Sequence, residues 1–399
     1  MELADFEALL TDEGQALLAG LGDYTEAAAL ALGSRLRERH PAPLVAAALT
    51  QARLRGRAVA KFGEAARSMY FTAPGLEQAT RRTVADLRVR RYAGAGTRRV
   101  ADLCCGIGGD ALAFAAAGIE VLAVDRDPLT CAVAAANARA AGVAGLIEVR
   151  CDDVTKVTLE GCDAVFLDPA RRTERGRVFD PAGYSPPWSF ALALADRVAA
   201  AGFKAAPGLP HDQIPDAAEA EWVSDRGEVK EAGVYFGPLA GVGRRATLLP
   251  GPHTLVPRGL PDPEPGPVRG YLYEPDGAVI RARLLGELAE NLGATTIDPT
   301  IAYLTSDRLE YTPFAAGYEI TDVLPFNVKR LRALIAERKI GVLTVKKRGA
   351  DVDPAALRRQ LRPSGPQSAV LIVTRVLGAH TALLARPAPA PDSPSSSTG

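Results

Sequence analysis

The residues whose types and spacing best suit chemistry begin with a run of glycines. The stretch Val100–Asp110, VADLCCGIGGD, is an apolar segment that leads into Gly106, Gly108 and Gly109, and an alanine-rich segment follows it directly. A strand that enters a glycine-rich turn at the start of a helix is typical of sites for nucleotide-like ligands. Glycine permits close backbone approach there, and the helix N-terminus offers unpaired amides. This stretch therefore predicts a site for such a ligand.

Carboxylates follow the glycines at the ends of successive predicted strands. The acids at the ends of the first four strands are Asp102, Asp125, Asp152 with Asp153, and Asp168. Ligands of open parallel sheets bind in the crevice beyond the carboxyl ends of the strands. A single glycine turn is weak evidence, since glycines also form ordinary tight turns, but four acids in succession at such ends rarely arise by chance. The set indicates one ligand crevice.

The carboxylates also indicate which ligand fits. Asp125 lies 19 residues beyond the first glycine, where it can accept hydrogen bonds from both ribose hydroxyls, each worth about 1.5–3 kcal/mol. This alone suits NAD as well as S-adenosylmethionine. Asp102 favours S-adenosylmethionine, because a carboxylate within the glycine strand repels a pyrophosphate and attracts an ammonium or sulfonium group. Ala111 stands where the dinucleotide fingerprint has its third glycine, although alanine is tolerated there. Asp153, with Asp152 as second choice, suits the exocyclic amine of adenine.

The elements that must position these residues alternate between strand and helix from residue 99 onwards. The predicted strands are Arg99–Leu103, Ile119–Val124, Leu146–Val149, Ala164–Leu167, Phe203–Ala206, Trp222–Ser224, Val234–Phe236 and Ala246–Leu249. Helices separate the early strands, and a turn at Arg226–Gly227 joins two of the last ones. This pattern predicts a mostly parallel, doubly wound α/β sheet that ends in a hairpin.

The motifs DLCCGIGG, AVDRDP and VFLDPARR together resemble those of class I S-adenosylmethionine-dependent methyltransferases, the first two being most similar to trimethylguanosine synthase and its bacterial relatives. Near the C-terminus, IGVLTVKKRGADVDPAALRRQL resembles the THUMP-like domain of a bacterial methyltransferase family with the same DPARR motif. The resemblance covers roughly residues 60–386. It implies a seven-stranded, Rossmann-like class I domain with a helical N-terminal part and a smaller α/β THUMP-like region. The cofactor residues would be Asp102, Gly106, Gly108, Asp125, Asp153 and, by analogy with an upstream motif of the family, Thr72.

The fourth strand end predicts where the substrate binds. The class that methylates base amines usually has an acid, amide or serine there, followed by two prolines and an aromatic residue that stacks on the base. This chain has Asp168-Pro169-Ala170-Arg171-Arg172 instead. Asp168 can accept a hydrogen bond from an amine, Pro169 stiffens the turn, and Arg171 could stack on a base or hold a phosphate. Trp188 could supply the missing ring, but a core anchor is the favoured interpretation.

The C-terminal part is strongly basic in a chain whose formal net charge is zero. Between residues 325 and 386 there are 13 lysines and arginines against three acids, a net charge of +10. Such a local excess indicates a nucleic-acid surface, and the similarity to THUMP-like domains favours structured RNA, a tRNA or rRNA, as the partner. The predicted phosphate contact is Lys346, Lys347 and Arg348.

The composition also indicates the state of the cysteines, the compartment and the absence of a metal site. Five cysteines lie without metal-ligand spacing and four histidines lie far apart, which predicts reduced thiols, no metal site and a cytoplasmic protein. The N-terminus lacks the pattern of a signal peptide, and no apolar run is long enough for a membrane span. The predicted regions are 1–90 (helical), 91–250 (methyltransferase), 251–267 (Pro-rich linker), 268–324 (small ferredoxin-like α+β), 325–387 (basic THUMP-like) and 388–399 (disordered tail).

Together these observations predict an S-adenosylmethionine-dependent methyltransferase that acts on a base exocyclic amine of a structured RNA. Asp168, Pro169 and Arg171 are the predicted catalytic residues. Two alternatives stay open at this point: methylation of a protein or small molecule, and a dinucleotide-dependent oxidoreductase.

Overall fold

The structure is a computed structural model that describes residues 1–22, 24–25, 27, 29–170, 172–173, 176–177 and 183–389. The chain divides into two compact units. The first comprises residues 1–220 and 231–243, and the second comprises residues 221–230 and the chain from residue 244 on.

The first unit begins with helices, most of which contribute to one hydrophobic core. They are α1 (Leu3–Leu9), α2 (Asp12–Gly20), α3 (Ala29–Leu36), α4 (Ala42–Phe62), α5 (Ala73–Gln78) and α6 (Arg82–Gly94). The apolar stripe of α4, including Leu44, Ala48 and Leu54, packs with Phe6 and Leu9 of α1. This burial explains why the 3.6-residue periodicity of the segment produces a long helix. Helix α4 begins directly after Pro41.

The first sheet contains nine strands in the described residues. They are β1 (Arg99–Leu103), β2 (Glu120–Asp125), β3 (Ile147–Cys151), β4 (Ala164–Leu167), β5 (Ala200–Ala205), β6 (Glu219–Asp225), β7 (Glu228–Phe236), β8 (Arg244–Leu249) and β9 (His253–Leu255). Their order is β9-β8-β6-β7-β5-β4-β1-β2-β3. The pairs β1–β2, β2–β3, β1–β4 and β4–β5 are parallel, whereas β5 pairs antiparallel with β7. The carboxyl ends of β1 to β4 therefore meet at one edge, where ligands of such sheets bind.

Helices cover this sheet as the doubly wound fold requires. Helix α7 (Gly109–Ala116) follows β1, α8 (Pro128–Ala140) contacts β2 and β3, and α9 (Trp188–Ala195) contacts β5. The fold class predicted from the alternation is confirmed. The eight strands predicted from the sequence pattern all form, one more than the seven that the resemblance implies, and β9 is a further strand that was not predicted. The Arg226–Gly227 turn also forms, with positive φ at both residues.

The second unit is built on a sheet of seven strands. They are β10 (Tyr271–Pro275), β11 (Thr295–Asp298), β12 (Ile301–Ser306), β13 (Ala315–Pro325), β14 (Ile340–Lys347), β15 (Gln367–Val376) and β16 (Ala379–Pro387), in the order β11-β12-β10-β13-β16-β15-β14. Its helices are α10 (Gly277–Arg281), α11 (Leu285–Leu292), α12 (Val328–Glu337) and α13 (Pro354–Leu361). Strands β14 and β15 are parallel, whereas the other paired neighbours are antiparallel.

Two predicted borders differ from this arrangement. The sheet continues through the border expected between 324 and 325, because β13 pairs with β10 on one side and with β16 on the other. The Pro-rich segment 251–267 is not a free linker. Part of it forms β9, Gly266 donates a backbone hydrogen bond to Thr296 (2.8 Å), and Arg258 donates one to Glu287 (3.0 Å). Residues between the prolines keep their N–H groups, so a Pro-rich sequence can still dock.

Candidate active site

The glycine loop between β1 and α7 adopts the backbone that its sequence predicts. Cys104, Gly106 and Gly108 all have positive φ, and Gly108 is the left-handed cap of α7. A Cβ at Gly108 would lie 3.4 Å from Cβ of Ala134 on α8. Glycine at this position therefore combines the required backbone angle with close helix packing.

Asp125 ties this loop to the end of β2. Its Oδ2 accepts the N–H of Gly106 (3.0 Å), and its Oδ1 accepts the N–H of Asp127 (3.1 Å). Each carboxylate oxygen has a second acceptor site, so Asp125 can bind ribose hydroxyls while it holds the loop. Asp153, after β3, is exposed, and hydrogen bonds from the N–H and hydroxyl of Thr155 lower its pKa. Asp153 is thus an ionised acceptor, as the role of binding an adenine amine requires.

Asp102 provides the sharpest test of whether these residues fit a cationic cofactor. It lies on β1 with 1% of its surface exposed, and its Oδ2 receives no hydrogen bond from the described residues. Burial, and then the carboxylates of Asp110 and Asp168, raise its pKa well above the usual range. A buried carboxyl oxygen without a partner is costly unless a ligand satisfies it. An ammonium or sulfonium group would do so, and these residues therefore fit S-adenosylmethionine.

Thr72 lies beside the glycine loop but its side chain has a local partner. Its Oγ1 accepts the N–H of Gly75 (3.0 Å) and caps α5. A Cβ at Gly75 would lie 2.4 Å from Cγ2 of Ile107 in the loop. Thr72 therefore holds the start of α5, which packs against the loop through Gly75, and its role toward the cofactor stays a prediction.

Two buried amides, which the sequence analysis missed, support this contact. Asn137 on α8 donates to the carbonyls of Tyr70 (3.0 Å) and Ile107 (2.9 Å) and accepts the N–H of Tyr70 (2.6 Å). Gln51 on α4 donates to the carbonyl of Phe71 (2.7 Å) and accepts its N–H (3.0 Å). Both side chains are fully buried. In the sequence, the signal that could have identified each contact is a single amide residue on the apolar face of a helix.

Asp168 follows β4 and is paired with a lysine that the sequence analysis also missed. Nζ of Lys204, on β5, donates to Oδ2 of Asp168 (2.6 Å) and to Oγ1 of Thr80 (3.0 Å). The Lys204 side chain is 5% exposed and that of Asp168 is 24% exposed. The N–H of Asp168 donates to the carbonyl of Leu103, at the end of β1 (3.2 Å). In the sequence, the signal that could have identified this ion pair is a single lysine within an apolar predicted strand.

The other residues predicted to contact the substrate lie in different surroundings. Pro169 is buried directly after Asp168, and Arg171 lies outside the described residues. Trp188 is buried, donates its indole N–H to the carbonyl of Gln213 (3.0 Å) and meets the ring of Phe203 edge to face. It is therefore a core anchor, and its ring is not free to stack on a base.

In the second unit, the predicted phosphate contact is divided. Nζ of Lys346 pairs with Glu274 and lies 5.3 Å from the ring centroid of Tyr318. Burial opposes its charge, but hydrogen bonds to Glu274 and Tyr318 raise its pKa above the usual range. Lys346 is thus neutralised within its own unit. Lys347 is exposed. The guanidinium of Arg348 lies 5.2 Å from the centroid of the Tyr303 ring, and Arg348 has no carboxylate partner among the described residues.

Metal-binding clusters and membrane-spanning helices are both absent from the part of the chain that the structure describes. No group of three or more histidine, cysteine, aspartate or glutamate side chains is arranged to hold a metal ion there. No helix among these residues has the length and apolar character needed to cross a membrane.

Comparisons with known proteins agree with this site. Residues 97–189 match the family model described as RNA cap guanine-N2 methyltransferase, and residues 315–387 match the model described as THUMP domain-like. Residues 2–58 match a domain of unknown function. A structure from Porphyromonas gingivalis W83, of a protein assigned as a methyltransferase, superposes with a TM-score of 0.72 at 22% identity, covering 92% of this chain and all of that one. It shares the fold.

Two of the sequence relatives come from Mycobacterium tuberculosis. An uncharacterized S-adenosylmethionine-dependent methyltransferase, found in strains CDC 1551 and H37Rv, is 34% identical over 350 residues, which cover 84% of this chain and 95% of the relative. This similarity, together with the glycine loop and the unsatisfied Asp102, removes the oxidoreductase alternative. The chain belongs to the S-adenosylmethionine-dependent methyltransferases.

Proposed function

We propose that the protein transfers a methyl group to a base exocyclic amine of a structured RNA. The observation that carries this proposal is Asp168, which presents a partly exposed carboxylate at the carboxyl end of β4, on the sheet edge that also carries the cofactor carboxylates. The match of residues 97–189 to a guanine-N2 methyltransferase family and of residues 315–387 to a THUMP-like family supports an RNA amine as the target.

The chemistry asks little of the protein beyond positioning. S-adenosylmethionine supplies the electrophilic methyl group when bound. Asp168 accepts an N–H of the amine and so directs the nitrogen toward the cofactor side of the crevice, while Pro169 restricts the turn that carries it. Orientation of this kind can account for most of the acceleration of a bimolecular transfer.

A basic face on α12 and α13 supports RNA as the partner. Both helices contact β14 and each other, and their apolar residues are buried in a shared core. The basic face consists of exposed cations without carboxylate partners among the described residues: Lys329, Arg330, Arg332, Lys339, Arg358, Arg359 and Arg362. Cations held on one surface suit the regularly spaced phosphates of RNA.

The decisive experiment uses total RNA from cells that lack the protein. Incubation with methyl-labelled cofactor should place label in RNA, and nucleoside digestion should recover it on an exocyclic amine. Asp168→Ala should abolish transfer and leave the affinity for S-adenosylhomocysteine within about twofold, measured by calorimetry. Asp196→Asn, which changes an exposed aspartate after α9, is the matched control and should keep full transfer.

Two results would contradict the proposal. Label that enters protein or a small molecule but not RNA would favour the alternative substrate classes. A collapse of S-adenosylhomocysteine affinity in Asp168→Ala would make Asp168 a cofactor or structural residue.

A further inference from the structure

Lys204 is a buried cation held between two partners from different parts of the first unit. It lies on β5, whereas Asp168 follows β4 and Thr80 precedes α6. Its ammonium contacts Oδ2 of Asp168 and Oγ1 of Thr80, at 2.6 Å and 3.0 Å. These contacts fix the lysine head group, because a buried ammonium with two short hydrogen bonds has little freedom to move.

The charges around Asp168 explain why a cation is needed there. Among the described residues, Asp168 interacts with the carboxyl groups of Asp102 on β1 and Asp110 on α7, and it forms an ion pair with Lys204. Two of these three groups are therefore carboxyl groups. Like charges held close together in a buried site favour protonation of one of them, and a protonated Asp168 would donate a hydrogen bond instead of accepting one.

Arg88 does not take over this task. It is buried and pairs with Asp110 and with Glu231 on β7, and it lies 4.1 Å from the centroid of the Phe166 ring. Its guanidinium is therefore already occupied by ion pairs with these two carboxylates. Among the described residues, Lys204 is the cation that forms an ion pair with Asp168.

We propose that Lys204 is a positioning residue, which keeps Asp168 ionised and occupies its Oδ2 so that Oδ1 accepts an N–H of the target nitrogen. The inference rests on the proposed function and narrows the substrate class. An ionised carboxylate can only accept, so the nucleophile must carry a hydrogen. A pyridine-type ring nitrogen has none and would face a repulsive lone pair.

The transfer step balances with these groups. The nitrogen lone pair forms the new N–C bond, and the C–S bond breaks and leaves its electron pair on sulfur, which becomes a neutral thioether. The nitrogen, positive after transfer, gives its proton to Oδ1 of Asp168. That side chain is partly exposed and passes the proton to water. A carboxylate held by a lysine is a sufficient base, because the alkylated amine regains conjugation with the ring when it loses the proton.

The test compares the pH dependence of RNA methylation in wild type, Lys204→Met and Lys204→Arg. Loss of an adjacent cation should move the acid limb of the kcat profile upward by about 1–3 pH units from the ordinary aspartate range near 3.9, so Lys204→Met should lose activity at pH values where wild type is still fully active, by up to about tenfold at pH 6 relative to pH 8.5. Lys204→Arg should restore most of the wild-type profile. Lys230→Met, which removes another lysine paired with a carboxylate, is the matched control.

A second measurement does not depend on transfer. In Asp168→Cys, the thiol pKa is read from the pH dependence of alkylation, after subtraction of the other cysteines, and compared with Asp168→Cys/Lys204→Met. The cation should hold the thiol pKa lower by at least about one unit. S-adenosylhomocysteine affinity and Tm are measured alongside.

The outcomes separate the two proposals. A uniform loss of kcat at all pH values in Lys204→Met, with equal thiol pKa values in both cysteine variants, would make Lys204 merely structural and overturn the inference. Wild type that binds S-adenosylhomocysteine but labels no RNA would instead overturn the proposed function and the amine assignment that rests on it. A product labelled on a ring nitrogen without hydrogen would overturn the inference and the exocyclic-amine part of the proposed function, while RNA would stay the substrate.

Discussion

Single residues of the catalytic unit are arranged for a positively charged ligand. Lys204 pairs with Asp168 and Arg88 pairs with Asp110, whereas Asp102 makes no ion pair among the described residues and has one oxygen without a hydrogen bond. Burial, followed by the carboxylates of Asp110 and Asp168, raises the pKa of Asp102 in the ligand-free protein. We infer that a bound cationic cofactor lowers this pKa, because an adjacent cation favours the ionised form.

Asp102→Asn tests this arrangement directly. Replacing the carboxylate by an amide of the same shape should weaken S-adenosylmethionine binding about 10- to 100-fold, because a hydrogen bond to a charged group contributes about 1.5–3 kcal/mol. Calorimetry with the cofactor measures the change. Wild-type affinity in this variant would show that Asp102 does not contact the cofactor.

The same substitution reports on stability against pH. Burial, followed by Asp110 and Asp168, raises the pKa of Asp102 in the folded state. Its stabilising contribution is therefore complete below the unfolded value of about 3.9 and is lost as the pH rises through the folded pKa. The Tm of ligand-free wild type, relative to Asp102→Asn, should fall as the pH rises from about 4. A constant Tm difference between pH 4 and 8 would contradict the assignment.

Among the elements, the short helix α5 determines how the glycine loop is supported. Thr72 caps it, Gly75 places it against Ile107, and Asn137 ties the preceding segment to the same loop. Each of these contacts limits where the loop can lie. Residues far from a ligand in sequence can therefore control its affinity.

Gly75→Ala isolates this contact. The added Cβ would lie 2.4 Å from Cγ2 of Ile107, so α5 or the loop must shift, and S-adenosylhomocysteine affinity should fall about tenfold. The matched control is Gly56→Ala in α4, where no atom lies within 4 Å of the new Cβ. There, alanine should stabilise the helix by about 0.5–1 kcal/mol and leave affinity unchanged. Equal affinities in both variants would refute the supporting role of α5.

For the whole molecule, charge is divided unevenly between parts of a chain that is neutral overall. The first unit contains the buried acidic cluster of the cofactor site, and the second contains the basic face on α12 and α13. Within the second unit, Lys346 is paired with Glu274, so we propose the basic face, in place of Lys346, as the main phosphate surface. Lys347 and Arg348 remain candidates for further phosphate contacts.

The basic face should appear in the salt dependence of RNA binding. Arg358→Gln with Arg359→Gln should weaken binding to all RNA sequences and reduce the slope of log K against log salt by about 1.4–1.8, as expected for two lost phosphate contacts. Filter binding between 50 and 300 mM salt measures it. Arg338→Gln, which removes a cation already paired with Asp322 (2.7 Å), is the control. A double variant with an unchanged slope would exclude these arginines.

Local sequence by itself determined the glycine loop, the acids at the strand ends, the Asp-capped helix α8 and the α/β alternation, because each depends on neighbours within a few residues. It also indicated the cofactor, since the chemistry of Asp102 within the loop favours a cation. Tertiary structure decided which of these groups are satisfied. Lys204 meets Asp168 because β4 adjoins β5, and Glu274 meets Lys346 because the second sheet brings their side chains together although three strands separate β10 from β14 in its order. Pairing of strands distant in sequence thus set the charges of both sites.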